Sequence, residues 1–201
     1  MTVDACSALG ENSLARIFTG ARTHYAWCSR EIPQAKLIQI YDVAKLGPTS
    51  ANCSPLRVVF LCSRQAKERL LPALSRGNVA KASSAPVIAI VAQDRNYLDR
   101  LPTLFPVGYD ARSWFTATPT SVADHGLRNT MLQAAYFIIA ARALGLDCGP
   151  MSGFNASMVD EEFLRGLAWN SLLLINLGYG ADTPAPARKP RLSAADACRF
   201  F

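Results

Sequence analysis

Several signatures of common functional classes are missing from this sequence. Its six cysteines form no C-x-x-C pair and do not stand at metal-ligand spacing from the two histidines, so we expect no metal site. No run of five basic residues with interleaved aromatics accompanies the net charge of +6, which argues against a nucleic-acid partner. Neither a G-x-x-x-x-G-K-[ST] nor a G-x-S-x-G motif occurs, so P-loop and serine hydrolase chemistry are not indicated.

Long hydrophobic segments and a leader are missing as well. In the most apolar stretch, residues 130 to 146, Gln133 and Arg142 interrupt the pattern well short of about 20 apolar residues. We interpret this stretch as a buried helix. The first five residues lack the basic and apolar regions of a secretory signal. We therefore expect a cytoplasmic protein with reduced thiols and without a membrane partner.

The chain has enough hydrophobic residues, 50% of 201, to form one domain over residues 1–201. Its patterns predict an α+β fold in which helices pack over a small central sheet. The segment from Asp94 to Trp114 is predicted to be an irregular excursion, which is typical of lids, and 146–154 to be a turn-rich loop. Predicted helices are 13–21, one that starts at Pro33, 64–74, 121–144 and 159–167; predicted strands are 57–62, 87–92 and 172–179.

A loop of small and polar residues, 47–55, lies between the second predicted helix and the first predicted strand. Gly47 and Pro48 end the helix, and the following residues supply hydroxyl and amide groups with little bulk. Such a loop could bind a flat polar ligand. It could equally be a well-capped surface turn, because turns use the same residue types.

Four more polar clusters are candidates for binding, and each is a weak signal alone. They are Arg22-Thr23-His24, Asn78 with Lys81, residues 149–153, and Lys189 with Arg191. In their order and type, these clusters resemble the flavin-dependent nitroreductase family from about Leu14 to Leu192. Segments 21–24, 47–55, 110–115 and 149–154 are similar to its HadB/RutE branch, which includes the malonic semialdehyde reductase of pyrimidine breakdown.

This resemblance implies a fold, a cofactor and a partner. The fold would be nitroreductase-like, with a mostly antiparallel sheet, a long central helix and a domain-swapped C-terminal tail in a homodimer. FMN would bind non-covalently between the two subunits. NADH or NADPH would deliver hydride to flavin N5 and leave, and a small acceptor would then enter the same slot in a ping-pong reaction.

The resemblance also implies which residues contact the flavin. Arg22, with Thr23 and His24, would bind the FMN phosphate, since a guanidinium pairs well with phosphate oxygens. Tyr25 and Ala26 stand where the family commonly has a second basic residue, so this chain departs from the pattern there. Lys189 and Arg191 match a second phosphate anchor in the tail.

The remaining implied contacts concern the ring. Asn78 and Lys81, three residues apart, would contact its pyrimidine edge, where a lysine stabilises negative charge in the reduced flavin. A loop from the partner subunit would lie along the ring and ribityl chain. It comprises Pro48, Thr49, Ser50 and Asn52. One face of the ring would be covered by Pro150, Met151, Ser152 and Gly153.

Catalytic and substrate contacts are less defined by the sequence. Arg112 could bind a substrate carboxylate or pair internally with Asp110, and both interpretations stay open. No obligatory acid or base is evident, and Cys53 is more readily explained as a buried structural cysteine than as a nucleophile. The expected reaction reduces malonic semialdehyde to 3-hydroxypropionate. The alternatives are a broad nitroaromatic or quinone reductase and a flavin-binding protein without turnover.

Overall fold

A computed structural model describes residues 7–116, 118–181 and 187–201, without the side chains of residues 119 and 120. The α-helices are α1 Glu11–Leu14, α2 Gln34–Ala44, α3 Arg64–Leu70, α4 Arg76–Ser84, α5 Leu101–Leu104, α6 Pro119–Ala143, α7 Ala156–Phe163 and α8 Ala194–Ala197. A π-helical turn covers Ala15–Thr19, and 3₁₀ turns cover Ser50–Asn52, Leu71–Ala73, Tyr97–Arg100 and Ala111–Trp114. The strands are β1 Leu56–Leu61, β2 Val87–Asp94, β3 Asp147–Met151 and β4 Trp169–Gly178.

The four strands form one antiparallel sheet in the order β1-β2-β4-β3. All eight residues of β2 are buried, as the unbroken apolar run predicts for a central strand covered on both faces. Helices α2 and α6 pack on one face, where Ile40 and Phe137 are fully buried. Helices α3, α4 and α7 pack on the other face, where Leu70, Ala82 and Val159 are buried. The predicted α+β architecture is therefore confirmed.

One prediction about the sheet is wrong. Residues 147–151 form the edge strand β3 and not part of a turn-rich loop; Pro150 lies opposite Ile175 in the register. Gly149 and Pro150 look like turn residues in the sequence, but β3 pairs with a strand on one side only. A proline fits an edge strand because its missing N–H can face away from the ladder.

Other elements differ from their predicted bounds by smaller amounts. The predicted helix 13–21 is divided between α1 and the π-helical turn, and the predicted helix 64–74 ends in a 3₁₀ turn that contains Pro72. Residues Arg76–Ser84, which contain Asn78 and Lys81, form a full helix. The residues used to exclude a secretory signal, and residues 182–186 of the tail, lie outside the described part of the chain.

The predicted long central helix is confirmed as α6, which spans 25 residues. In the described part of the chain, no helix is both long and apolar enough to cross a membrane. The excursion after β2 packs over its own small cluster of buried side chains, which includes Tyr97, Leu101, Ala111 and Cys53. This cluster attaches the excursion to the loop between α2 and β1.

Candidate functional site

A cavity rich in positive charge lies where residues 18–25 meet residues 187–191 of the tail. Its volume is about 370 Å³, and none of the described residues that line it is acidic. Four predicted phosphate-binding residues line it: Arg22, Thr23, Lys189 and Arg191. The first two are more than 160 positions away from the last two in the sequence. We call it the cationic cavity; its lining residues are Phe18, Ala21, Arg22, Thr23, Tyr25, Arg142, Ala187, Arg188, Lys189 and Arg191.

Two arginines of the cationic cavity, Arg142 and Arg188, are absent from the sequence-based prediction. The Arg188 guanidinium donates to the carbonyl oxygens of Phe18, Thr19 and Ala21 at 2.8–3.1 Å. Partial desolvation lowers the pKa of Arg188, and the charges of Arg22, Arg191 and Arg142 lower it further. Clustered cations of this kind repel one another until an anion binds among them.

His24 lies outside the cationic cavity. Its Nε2 atom is 3.8 Å from a carboxylate oxygen of Asp147, and its ring packs against Gly180. Asp147 also accepts a hydrogen bond from the Gly180 N–H at 2.9 Å and pairs with Arg16 at 3.4 Å. The structure therefore separates His24 from Arg22 and Thr23, and places it at the end of the sheet next to β3.

Trp27 and Lys81 connect the cationic cavity to the predicted ring-binding residues. The Lys81 ammonium lies 4.9 Å from the ring centre of Tyr25, which lines the cavity. The buried Trp27 donates from its indole N–H to the Lys81 carbonyl oxygen at 3.1 Å. The Trp27 ring also packs against Gly149 of β3. These contacts join α4 and β3 to the wall of the cavity.

Asn78 of α4 and Gly153, just after β3, form a tight cradle. The Asn78 side-chain amide donates to the Gly153 carbonyl oxygen at 3.0 Å, and the Ser75 N–H donates to the same oxygen at 2.9 Å. A Cβ on residue 153 would lie 2.8 Å from Asn78 Nδ2, so only glycine fits without displacement. Ser152 is exposed beside this cradle, and Pro150 is half-buried. The Met151 side chain is buried in the core below it.

The loop 47–55 occupies a different part of the molecule. It connects α2 to β1 as predicted, and it forms a 3₁₀ turn over Ser50–Asn52. Three of its non-glycine residues, Ala51, Asn52 and Ser54, have φ values of 48°, 50° and 41°. Left-handed conformations of this kind cost energy for residues with a side chain, and they concentrate at functional sites. The loop is therefore a strained turn, which fits the turn interpretation and also keeps the ligand hypothesis open.

Contacts with α6 fix the shape of this loop. Asn129 accepts a hydrogen bond from the Ser50 N–H at 2.9 Å, and Gln133 accepts one from the Leu56 N–H at 3.0 Å. Gly47 lies directly against the ring of Tyr136, where a Cβ would come within 2.1 Å of a ring carbon. On the other side, the Asn52 amide donates to the Leu104 carbonyl oxygen at 2.8 Å. The loop therefore lies between α6 and the excursion.

No residue of the loop 47–55 lines the cationic cavity. Asn52 and Ser54 line a cavity of about 710 Å³ together with Lys45, Arg57 and Arg100. The predicted site residues therefore form two separate groups in one chain. One is the phosphate and ring group, without His24, and the other is the loop from Pro48 to Asn52.

Comparisons with known proteins concern the family and the fold of this chain. The family model described as "Nitroreductase family" matches residues 19–179, which is most of the chain. The chain belongs to the nitroreductase family. A protein of Exiguobacterium sibiricum assigned as a nitroreductase, solved in complex with FMN, has a similar structure. The TM-score is 0.83 at 20% identity, with 97% of this chain and 99% of the other covered.

Two further solved structures share the nitroreductase fold. One is a Staphylococcus epidermidis protein assigned as an NAD(P)H:FMN oxidoreductase, with a TM-score of 0.83 at 16% identity, over 96% of this chain and 98% of the other. The second is an enone reductase of gut-bacterial fatty acid saturation, with a TM-score of 0.80 at 19% identity, over 96% of this chain and 99% of the other. At these identities the similarity establishes the fold, and acceptor chemistry differs among the assigned relatives.

Arg112 of this nitroreductase-family chain pairs with Asp110. Its Nε and a terminal nitrogen donate to both oxygens of the Asp110 carboxylate at 2.8–3.0 Å. Each charge stabilises the other, so the pKa of Asp110 is lowered and that of Arg112 is raised. The pair lines a third cavity, apart from both groups of flavin candidates. The structure shows the internal ion pair, and the contact with a substrate carboxylate stays a prediction.

The buried thiol and the buried imidazole are poor candidates for chemistry. Cys53 is fully buried, and desolvation raises its pKa to about 11, so the thiolate needed by a nucleophile is scarce. His125 stacks on Phe115 at 4.2 Å, and its Nδ1 lies 2.9 Å from the Tyr97 hydroxyl. Burial lowers the pKa of His125, so it is neutral at pH 7. Both side chains pack against buried residues of the excursion, among them Tyr97.

Proposed function

We propose that this protein is a single-domain, FMN-dependent NAD(P)H oxidoreductase. The observation that carries the proposal is the meeting of Arg22 with Lys189 and Arg191 in one cavity. Tyr25, which lines this cavity, contacts Lys81 of α4, and α4 also contains Asn78, which bonds to Gly153. We infer that the flavin phosphate binds in the cavity and that the flavin ring lies beside α4.

The residues present suit such a cofactor chemically. Arginine forks and a lysine are the usual partners of phosphate. The cradle at Gly153 has no room for a side chain, because a Cβ there would meet Asn78 and Ser75. This close packing fixes the backbone that the ring would contact. The Gly153 N–H has no acceptor among the described residues, and an amide of this kind can donate to a ring nitrogen.

Each group of residues has a proposed role. Arg22, Lys189 and Arg191 bind the phosphate, while Asn78 and the Pro150–Gly153 segment position the ring. Lys81 places a positive charge near its pyrimidine edge. When bound, FMN supplies an acceptor and donor of hydride that no side chain provides. NADH or NADPH and the acceptor use the remaining open face in turn.

We propose that a second copy of the chain completes the site. The loop from Pro48 to Asn52 lies away from the cationic cavity of its own chain, so it would serve the flavin of a partner. An apolar stripe on α6 supports such a partner, because Leu127, Met131 and Leu132 are each about 40% exposed. Exposed apolar surface of this extent on one helix face is typical of an interface.

The acceptor is proposed as malonic semialdehyde, reduced to 3-hydroxypropionate. This assignment depends on segments such as 110–115 and 149–154, which resemble the malonic semialdehyde reductase branch. Nitroaromatic and quinone reduction is the second candidate, since the family model carries the nitroreductase description. Measured kcat/KM values separate the two candidates. An enzyme dedicated to malonic semialdehyde should have a kcat/KM for it several orders of magnitude higher than for nitroaromatic compounds or quinones.

A visible spectrum of the purified protein tests the proposal, together with identification of the released flavin. We expect a yellow dimer that contains FMN, bleaches on addition of NADH or NADPH, and recovers with an acceptor. A yellow protein that does not bleach would be a flavin-binding protein without turnover. A monomer that fails to bind micromolar riboflavin 5′-phosphate would contradict the proposal altogether.

A further inference from the structure

The cationic cavity contains more positive charge than the sequence-based prediction accounts for. Arg22, Lys189 and Arg191 are predicted phosphate contacts, whereas Arg142 and Arg188 line the same cavity without being predicted. At the same time, Tyr25 stands where a second basic residue is common. The chain therefore lacks one expected cation next to Arg22 and has two unexpected cations in the same cavity.

We propose that Arg142 and Arg188 complete the phosphate site of this protein and select the phosphorylated flavin over riboflavin. The inference rests on the proposed function, because it concerns the same cofactor. Arg142, at the C-terminal end of α6, and Arg188, in the tail, would take the role of the basic residue that is missing at Tyr25. Neither position is recognisable from the Arg22 segment itself.

The position of Arg142 supports this role. It lies in the last turn of α6, is half-buried, and donates from one terminal nitrogen to the Ile17 carbonyl oxygen at 3.0 Å. That contact fixes the guanidinium at the cavity wall. The Nε and the second terminal nitrogen have no acceptor among the described residues, so they remain available to an anion.

Arg188 is attached to the same segment in a similar way. One of its terminal nitrogens donates to carbonyl oxygens at the end of the first helical segment, among them Thr19 at 3.0 Å. The Arg22 fork is attached to the Thr19 carbonyl oxygen in the same way, also at 3.0 Å. Guanidinium groups that are fixed at one nitrogen lose little entropy when the others bind a phosphate. The cavity is therefore preorganised for a tetrahedral anion.

The charge balance favours a phosphate over a neutral ligand. A phosphomonoester carries about −1.5 to −2 charges at pH 7. The cavity presents five cations, and no described lining residue supplies a carboxylate to offset them. Mutual repulsion among these cations is relieved when the anion binds, so a large part of the affinity should depend on the phosphate.

Titration of apoprotein with FMN and with riboflavin, followed by flavin fluorescence, measures this dependence. The variants are Arg142→Met, Arg188→Met and Arg142→Lys; Arg165→Met is the control because Arg165 is exposed and pairs only with Glu161. We expect each Met variant to weaken FMN binding by about tenfold or more, and riboflavin binding by about twofold at most. Arg142→Lys should recover part of the loss, and the control should match the wild type.

The outcomes separate the inference from the proposed function. Equal losses for both flavins would mean that these arginines act only by supporting the helix ends, and this would overturn the inference. Unchanged FMN affinity in both Met variants would overturn it as well, while the wild type still bound FMN. A wild-type protein that binds neither flavin would refute the proposed function itself. Arg188 lies in the exposed tail, so its variant decides the question even if Arg142→Met fails to fold.

Discussion

The side-chain amide of Asn78 lies 3.0 Å from the carbonyl oxygen of Gly153 and donates a hydrogen bond to it. This bond joins α4 to the segment that follows β3, and it sets the distance between two predicted ring contacts. Both residues come from separate weak sequence clusters. Their contact brings the two clusters together in the fold.

Gly153→Ala should damage this contact. The new methyl group would lie 2.8 Å from Asn78 Nδ2 and 3.0 Å from Ser75 Oγ. We expect the free energy of unfolding to fall by about 1–3 kcal/mol, as in overpacked cores, and FMN affinity to fall with it. Gly77→Ala in α4, next to Asn78, is a control, because a Cβ there meets nothing within 4 Å. The control should be neutral or slightly stabilising, and a similar loss in both variants would contradict the cradle.

Replacement of Lys81 by methionine should alter the redox properties of bound FMN. A positive charge near the pyrimidine edge favours the reduced flavin, which is negative there. Without it, the midpoint potential should become more negative by about 30 mV, which corresponds to about 1.4 kcal/mol for a two-electron couple. Spectroelectrochemistry measures the potential, with Arg165→Met as the control. A potential equal to that of the wild type would remove Lys81 from the ring site.

The stability of the protein should depend on pH through His125. Burial first, and the Arg128 charge second, lower the pKa of His125 in the folded state. Between that pKa and about 6.5, the unfolded chain therefore binds more protons. The contribution of His125 should be fully present above about pH 6.5 and should decrease as the pH falls through the folded pKa. Urea unfolding of the wild type and His125→Gln across this range would show it, and parallel pH profiles would refute it.

Arg112→Ala tests whether Arg112 also binds a substrate carboxylate, the second interpretation that the sequence leaves open. The ion pair with Asp110 is exposed, so it contributes little to stability and can open for a substrate. We expect the KM for malonic semialdehyde to rise by about tenfold, with flavin content unchanged. Asp110→Asn releases Arg112 from its partner and should not raise that KM. An unaltered KM in Arg112→Ala would discard this role for the excursion.

The sequence predicts those parts of the fold whose signals are local and periodic. The apolar run of β2 and the long helical pattern of α6 have a single plausible structure each. Strand β3 was mistaken for a loop, because Gly149 and Pro150 are turn residues whose strand conformation depends on pairing with β4. That pairing links positions almost 30 residues apart, and local propensity contains no information about it.

The candidate site was predictable to a similar degree. Arg22, Asn78 and Lys189 could be named because they match a family pattern. Arg142 could not, since it looks like an ordinary charge at the end of a helix, where cations are favourable in any case. Its position in the cavity follows from the packing of α6 against the first helical segment, through Arg142 itself and Arg16. The resemblance predicts His24 at the phosphate, whereas its ring lies beside Asp147 through a tertiary contact that local sequence does not indicate.

Helix α6 touches both groups of flavin candidates. Asn129 contacts the strained loop, and Arg142, more than three turns further along, reaches the cationic cavity. In the proposed dimer these two residues serve different flavins. A shift or tilt of α6 would then move the ring contacts of one flavin and the phosphate contacts of the other at the same time. The two flavin sites of the proposed dimer would therefore be coupled through this helix.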